Sequence, residues 1–168
     1  MTGIDKLDIE HARFVEARDA LHEALLQSQA GSPWIVSVCG PSRVGKTRVI
    51  DSCVEVYGEC GGLSGKEILR VVSPKYLTGR ALPDACLESL GLRAAFYKNQ
   101  LQATQALVKA LARAETKLII FDETQHMIER SGSTSVRAAG DFLKTLFDEA
   151  HTSIALVGLP ELLRLFDV

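Results

Sequence analysis

Residues 40–47 follow the spacing Gly-x-x-x-x-Gly-Lys-Thr, in which each fixed position suits the binding of a phosphate chain. Gly40 and Gly45 allow the backbone to turn so that successive N–H groups point into one concavity, and a concavity that opens a helix binds anions. Lys46 can reach the β- and γ-phosphates of a nucleotide, and the Thr47 hydroxyl is a ligand for Mg²⁺. We therefore predict a P-loop that binds a magnesium nucleotide through Gly40, Pro41, Ser42, Arg43, Val44, Gly45, Lys46, Thr47 and Arg48.

An acidic pair follows an apolar run later in the chain. The run KLIIF at residues 117–121 leads directly into Asp122 and Glu123. If the run is a strand beside the P-loop, Asp122 at its carboxyl end can hold Mg²⁺ through water. Glu123 can then orient and deprotonate an attacking water, which favours nucleotide hydrolysis over phosphoryl transfer to a small substrate. We assign Thr47 and Asp122 to the metal, and Glu123 and Lys46 to catalysis.

Other polar residues near this pair have two open interpretations. Gln125 and His126 could lie near the γ-phosphate, or they could form hydrogen bonds in a loop or at a helix start. Hydrolases of this architecture often carry a polar residue where the fourth strand ends. Here that run ends in VGLP at residues 157–160, which offers no such side chain, and Ser153 lies at its opposite end.

Short apolar runs that alternate with helical patterns must position these residues. Strands are predicted near residues 34–39, 68–72, 117–121 and 153–157. Helices are predicted over 8–29, 82–90, 99–114 and 136–150, with a P-loop helix from about Gly45, a last helix from Pro160 and a flexible loop at 58–65. This alternation implies a parallel sheet covered on both faces, an α/β three-layer sandwich. We divide the chain into an N-terminal helical segment, residues 1–33, and a P-loop core, residues 34–168.

Composition and charge limit the class of protein. The 168 residues are 46% hydrophobic and 24% charged, which is ordinary for one globular domain. The formal net charge is −2, so a nucleic-acid partner would need a local basic patch or an assembly. We find no apolar signal region and no apolar run of membrane-spanning length, and we expect a cytoplasmic protein with no membrane partner. The four cysteines lack C-x-x-C spacing and indicate reduced thiols, with Cys39 and Cys53 as small core residues.

Taken together, these segments resemble the AAA+ ATPases of bacterial transposition, the TniB/TnsC group with its relative MuB. The resemblance covers roughly residues 11–166 and rests on HARFVEARDALHEAL, VCGPSRVGKT, LIIFDETQHM, DFLKTLFDEA and IALVGLPELLRLF. It implies an ASCE-type AAA+ ATPase of the bacterial cytoplasm with ATP and Mg²⁺ as cofactors. It also implies a homo-oligomer or filament that assembles on DNA, recruits a transposase and works with a target-selection protein.

One departure from the resembled group concerns the end of the sequence. Such ATPases continue past the fourth strand with a helix, a fifth strand, an arginine finger and a helical lid, whereas this sequence stops at Val168. The group's expected order of strands across the sheet is second, third, fourth and first. This order would leave the P-loop strand at an edge, where an exposed apolar strand can pair with other chains and aggregate. We expect a C-terminally truncated chain that lacks the fifth strand and lid and hydrolyses ATP weakly in isolation.

Basic residues form two candidate patches for DNA. Lys75, Arg80 and Lys98 lie between the second strand and the Asn99 helix, and Arg130 and Arg137 flank a Gly/Ser/Thr loop. Contacts from Lys and Arg to phosphates give affinity without reading the sequence. Solubilising surface charge is an equally open explanation.

Three other functions remain open. The chain could be an AAA-type ATPase of secretion or phage defence, a nucleotide-binding interaction module without turnover, or a small-molecule kinase. Glu123 and the lack of an evident Arg-rich lid count against the kinase. The missing finger and lid favour the interaction module.

Overall fold

The four apolar runs form one parallel sheet in the computed structural model, which describes residues 12–60, 67–76, 78–127 and 133–161. The strands are β1 (Ile35–Cys39), β2 (Ile68–Val72), β3 (Leu118–Asp122) and β4 (Ser153–Gly158). They lie in the order β1-β4-β3-β2, and each neighbouring pair is parallel. The predicted α/β fold, the strand positions and the sheet order are therefore confirmed.

Five α-helices connect and cover these strands within the described residues. They are α1 (Ala12–Gln29), α2 (Lys46–Cys60), α3 (Ala81–Ser89), α4 (Gln100–Arg113) and α5 (Ser133–Ala150). One boundary prediction was wrong: α2 continues through Gly58 to Cys60, so the predicted loop at 58–65 loses its first three residues to the helix. Glycine weakens a helix by only about 1 kcal/mol relative to alanine, so one glycine near the end of a helix does not have to stop it. Residues 61–66 and 8–11, and the predicted helix beyond Glu161, lie outside the described residues.

Helices pack on both faces of the sheet, because successive side chains of β3 belong alternately to two apolar clusters on opposite faces. Ile119 and Phe121 belong to the apolar cluster that includes residues of α3, α4 and α5. Leu118 and Ile120 belong to the opposite cluster, with residues of α1 and α2. Successive side chains of a strand point to opposite faces, so a continuous apolar run serves both layers. The three-layer sandwich is therefore confirmed.

β1 lies at an edge of the sheet, where it pairs with β4 among the described strands. All residues of β3 and β4 are buried, whereas Ile35, Ser37 and Cys39 of β1 are exposed. The expected edge position of the P-loop strand is thus confirmed. The prediction that Cys39 belongs to the core was wrong, because one side of an edge strand stays open, whereas Cys53 is fully buried. Among the described helices, none has the length and apolar character that a membrane span needs.

Candidate nucleotide-binding site

The P-loop joins the end of β1 to the start of α2. The Gly40 N–H donates to the Gly158 carbonyl at 3.2 Å, which holds the start of the loop against the end of β4. Arg43 and Gly45 have φ values of 63° and 90°, in the region that favours glycine. Gly40 is not among the residues with positive φ, but a Cβ there would lie 3.2 Å from Val44 Cγ2, which is a close contact. α2 begins at Lys46, so the loop ends at the N-terminus of a helix, where the helix dipole favours an anion.

Lys46 lies within the curve of this loop. Its Nζ donates to the carbonyl oxygens of Gly40 at 2.9 Å and Pro41 at 2.6 Å. The ammonium group is therefore held where the loop backbone turns, which is where a phosphate chain would need a cation. Thr47, Ser42 and Arg48 are exposed beside it, so the predicted hydroxyl ligand is accessible.

A cavity of about 320 Å³ separates the P-loop from α1. Pro41, Val44 and Lys46 line one side, and Arg13 and Phe14 of α1 line the other. The volume lies in the usual range for small-molecule sites, and the lining combines apolar surface with two cations. Sequence reasoning did not predict the part that α1 plays here, because the contact joins residues far apart in the chain.

Cys39 also lines this cavity. Partial burial raises the pKa of its thiol, while a hydrogen bond with Ser37 and the charge of Lys46 act in the opposite direction. Although β1 leaves Cys39 exposed overall, desolvation is the larger effect, so the thiol is mostly protonated at neutral pH.

Asp122 ends β3 with its side chain only 5% exposed. Oδ1 accepts a hydrogen bond from the Glu123 N–H at 2.9 Å, and Oδ2 accepts one from Arg70 Nη2 at 2.8 Å. The other terminal nitrogen of Arg70 donates to Asp51 Oδ1 of α2 at 2.8 Å. Sequence reasoning missed Arg70 and Asp51, although an arginine in the middle of the apolar run ILRVV was a signal that it has a specific partner.

Glu123 follows Asp122 in the left-handed region, with a φ of 56°. Its carboxylate accepts a hydrogen bond from Gln125 Nε2, and Gln125 Oε1 accepts one from the Leu159 N–H at 3.3 Å. Gln125 thus links the acidic residue to the end of β4, where the sequence offers no polar side chain. Of the two interpretations of Gln125, these contacts bear out the hydrogen bonding within a loop.

The short 3₁₀ turn that carries Gln125, Thr124–Met127, packs directly on the end of β4. Thr124 Oγ1 donates to the Val157 carbonyl at 2.9 Å. A Cβ at Gly158 would lie 2.4 Å from Thr124 Oγ1 and 2.8 Å from Gln125 Oε1. Glycine at the end of β4 is therefore what lets this turn approach the sheet.

The basic residues predicted for DNA are separated by the structure into exposed and engaged side chains. Lys75, Lys98 and Arg137 are exposed. The Arg80 guanidinium donates to the Tyr97 carbonyl at 2.5 Å and the Ala94 carbonyl at 2.9 Å, and it pairs with Asp84. Arg80 thus holds the segment before α4 and has few donors left for a phosphate. Arg130 lies outside the described residues.

The P-loop at the end of β1, the acidic pair at the end of β3 and the β1-β4-β3-β2 order define the class of protein: a P-loop NTPase of the AAA+ type. The family model described as bacterial TniB protein matches residues 5–168. The chain therefore belongs to the TniB family. A search of curated proteins finds no significant match.

Solved structures share the same fold at low sequence identity. The Aeropyrum pernix ORC1 protein, solved in complex with DNA, aligns with a TM-score of 0.62 and 21% identity over 90% of this chain and 40% of its own. Drosophila ORC bound to AT-rich DNA and Cdc6 aligns with a TM-score of 0.57 and 16% identity over 93% of this chain and 50% of that one. A second Drosophila complex, with GC-rich DNA, gives 0.56 and 15%. The chain thus spans half or less of the length of the first two.

Proposed function

We propose that this chain is an ATP-binding and ATP-hydrolysing regulator of DNA transposition that assembles on target DNA and recruits a transposase. The observation that supports the nucleotide part is that both motifs follow parallel strands of one sheet at their carboxyl ends. Lys46 and Thr47 start α2 after β1, and Asp122 ends β3 with Glu123 directly after it. The TniB family match supports the role in transposition.

The residues present fit a magnesium nucleotide. Within the described ranges, no group of three or more His, Cys, Asp or Glu side chains could hold a metal alone. Mg²⁺ in nucleotide sites is instead held by substrate phosphates together with one or two protein groups. Thr47 and Asp122 would be those protein groups. Mg²⁺ held by Thr47 and Asp122 would neutralise phosphate charge, and the cavity between Val44 and Phe14 would take the nucleobase.

Different groups of the chain would bind the phosphates and activate the water. Lys46 and the N–H groups of the first turn of α2 bind and orient the phosphate chain. Glu123 orients water and accepts its proton, because it follows the metal-binding carboxylate directly. Lys46 is the cation that the P-loop brings to the γ-phosphate, and an arginine from a neighbouring subunit would complete the site. Such an arginine is worth roughly 10³–10⁵-fold in rate.

The DNA and protein partners are proposed on different grounds. The solved neighbours are described in complexes with DNA, and members of the resembled group assemble on it. Exposed Lys75, Lys98 and Arg137 are the candidate phosphate contacts on this chain. A homo-oligomer in the bacterial cytoplasm, with a transposase and a target-selection protein as partners, completes the proposal.

A nucleotide-binding interaction module without turnover is the second candidate. It is favoured if the hydrogen bond from Gln125 withholds Glu123 from water, whereas the ATPase requires that this bond positions Glu123 as the base. Nucleotide binding and ATP turnover should be measured separately, with and without DNA, over a range of protein concentrations and with a C-terminally extended version for comparison. Turnover that rises with protein concentration and with DNA supports the ATPase. Tight nucleotide binding with no ATP turnover under any condition would favour the interaction module over the ATPase.

A further inference from the structure

Three charged residues form a chain of ion pairs at the proposed metal site, and the function proposed above uses only one of them. Arg70 of β2 bonds Asp122 through Nη2 and Asp51 through Nη1, both at 2.8 Å. The two acceptors differ in exposure, because the Asp122 side chain is 5% exposed and that of Asp51 is 52% exposed. Arg70 therefore connects one buried carboxylate to one that water reaches.

The buried partner needs this arginine when no metal is bound. A buried carboxylate is costly unless it is paired and hydrogen-bonded. Asp122 has one backbone donor, the Glu123 N–H, and one cation, Arg70. Arg70 thus holds the Asp122 carboxylate in one orientation at the end of β3.

The same arrangement opposes a second cation at Asp122. Two positive charges a few ångströms apart repel each other, and water screens this pair only in part, because the Asp122 side chain is 5% exposed and that of Arg70 is 34% exposed. Mg²⁺ would approach a carboxylate whose Oδ2 already accepts from a guanidinium. Asp51 offers that guanidinium another acceptor, since it lies in α2 one helical turn beyond Thr47.

We propose that Arg70 is a positioning residue that holds Asp122 without metal, opposes Mg²⁺, and shifts toward Asp51 when Mg²⁺ binds. The Nε of Arg70 is buried and has no hydrogen-bond partner among the described residues, so the observed arrangement does not satisfy all of its donors. The proposal rests on the proposed nucleotide function for its metal step only.

The first test needs no nucleotide. Arg70→Gln, Asp122→Asn and the double variant are compared by denaturant unfolding of the metal-free protein. We expect Arg70→Gln to lower the midpoint clearly in the wild-type background and only slightly beside Asp122→Asn, because the neutral amide needs no cation. Equal losses in both backgrounds would show that Arg70 does not act on Asp122.

The second test measures the metal step by titrating Mg²⁺ into protein with a fluorescent ATP analogue. Arg70→Gln should lower the Mg²⁺ midpoint several-fold, and Arg70→Lys, which keeps the charge, should give a smaller decrease. Asp51→Asn should raise the midpoint, because the guanidinium then has only Asp122. Glu55→Gln removes an equal charge from an exposed position one turn further along α2 and should raise it less.

An unchanged or higher midpoint for Arg70→Gln would overturn the opposition to Mg²⁺. So would equal shifts for Asp51→Asn and Glu55→Gln, since these would reflect net charge alone. If the wild-type protein binds no nucleotide at any Mg²⁺ concentration, both the proposed function and the metal step are wrong. The unfolding comparison would still decide whether Arg70 holds Asp122.

Discussion

Gln125 donates a hydrogen bond to the Glu123 carboxylate and at the same time accepts one from the main chain at Leu159. One buried amide, 6% exposed, thus fixes both the proposed base and the end of β4. Gln125→Leu should lower turnover about tenfold with little change in nucleotide affinity, because positioning of a general base is part of a roughly 10²–10⁴-fold effect. Turnover and binding should be measured separately. A loss of stability without any loss of turnover would reduce Gln125 to a structural role.

The close approach of the Thr124 turn makes Gly158 intolerant of a side chain. Gly158→Ala places a methyl group 2.4 Å from Thr124 Oγ1 and should destabilise the fold by about 1–3 kcal/mol. The matched control is Gly140→Ala in α5, where a Cβ meets nothing within 4 Å. That change should be neutral or stabilising by up to about 1 kcal/mol. Thermal unfolding of both variants checks the prediction, and equal effects would contradict it.

Substitutions at Lys46 and Glu123 should affect different steps, ATP binding for Lys46 and ATP hydrolysis for Glu123. Lys46→Ala removes the main cation from a site for a polyanion and should abolish or severely weaken ATP binding. Glu123→Gln keeps the shape and loses the base, so it should bind ATP and block hydrolysis. Isothermal titration and a phosphate-release assay measure the two effects. A Glu123→Gln variant that hydrolyses ATP at the wild-type rate would refute the assignment of the base.

Cys39 offers a chemical reporter of the cavity. Partial burial raises its thiol pKa, so alkylation should be slow at pH 7 and accelerate as the pH rises and the thiolate forms. Lys46→Ala removes a charge that stabilises the thiolate and should slow alkylation at a given pH. ATP should protect the thiol because Cys39 lines the cavity. Maleimide labelling in a Cys60→Ser background tests this, since Cys53 and Cys86 are buried. Labelling unaffected by ATP would place the nucleotide elsewhere.

Exposed lysines should carry DNA binding without sequence preference. Replacing Lys75 and Lys98 together by Gln should weaken binding similarly for different sequences and reduce the salt slope by roughly 1–2. Lys109→Gln, on the exposed part of α4, is the control and should change little. Arg80→Gln should instead destabilise the segment before α4, because it loses the bonds to Ala94 and Tyr97. Binding that does not respond to salt would reject this patch.

The features that could be predicted from the sequence are those set by residues close together in the chain. Strand positions and helix faces followed from apolar periodicity, and the P-loop and the acidic pair followed from spacing. What it did not predict depends on contacts between distant residues. Arg70 meets Asp51 and Asp122 only once β2 and β3 are paired, and the exposure of Cys39 follows from the place of β1 in the sheet. The helical conformation of Gly58 likewise departs from its intrinsic preference.

The place of β1 has a mechanical consequence for the P-loop. The loop is attached to the margin of the sheet, with β4 on one side and the main-chain groups of β1 open on the other among the described strands. Open main-chain groups accept another strand readily. Any segment that pairs there would stiffen β1 and, through the chain, Gly40, which also bonds to Gly158 of β4. Strand addition at this margin and phosphate affinity are therefore expected to strengthen each other, because one restrains β1 and the other restrains the loop that continues from it.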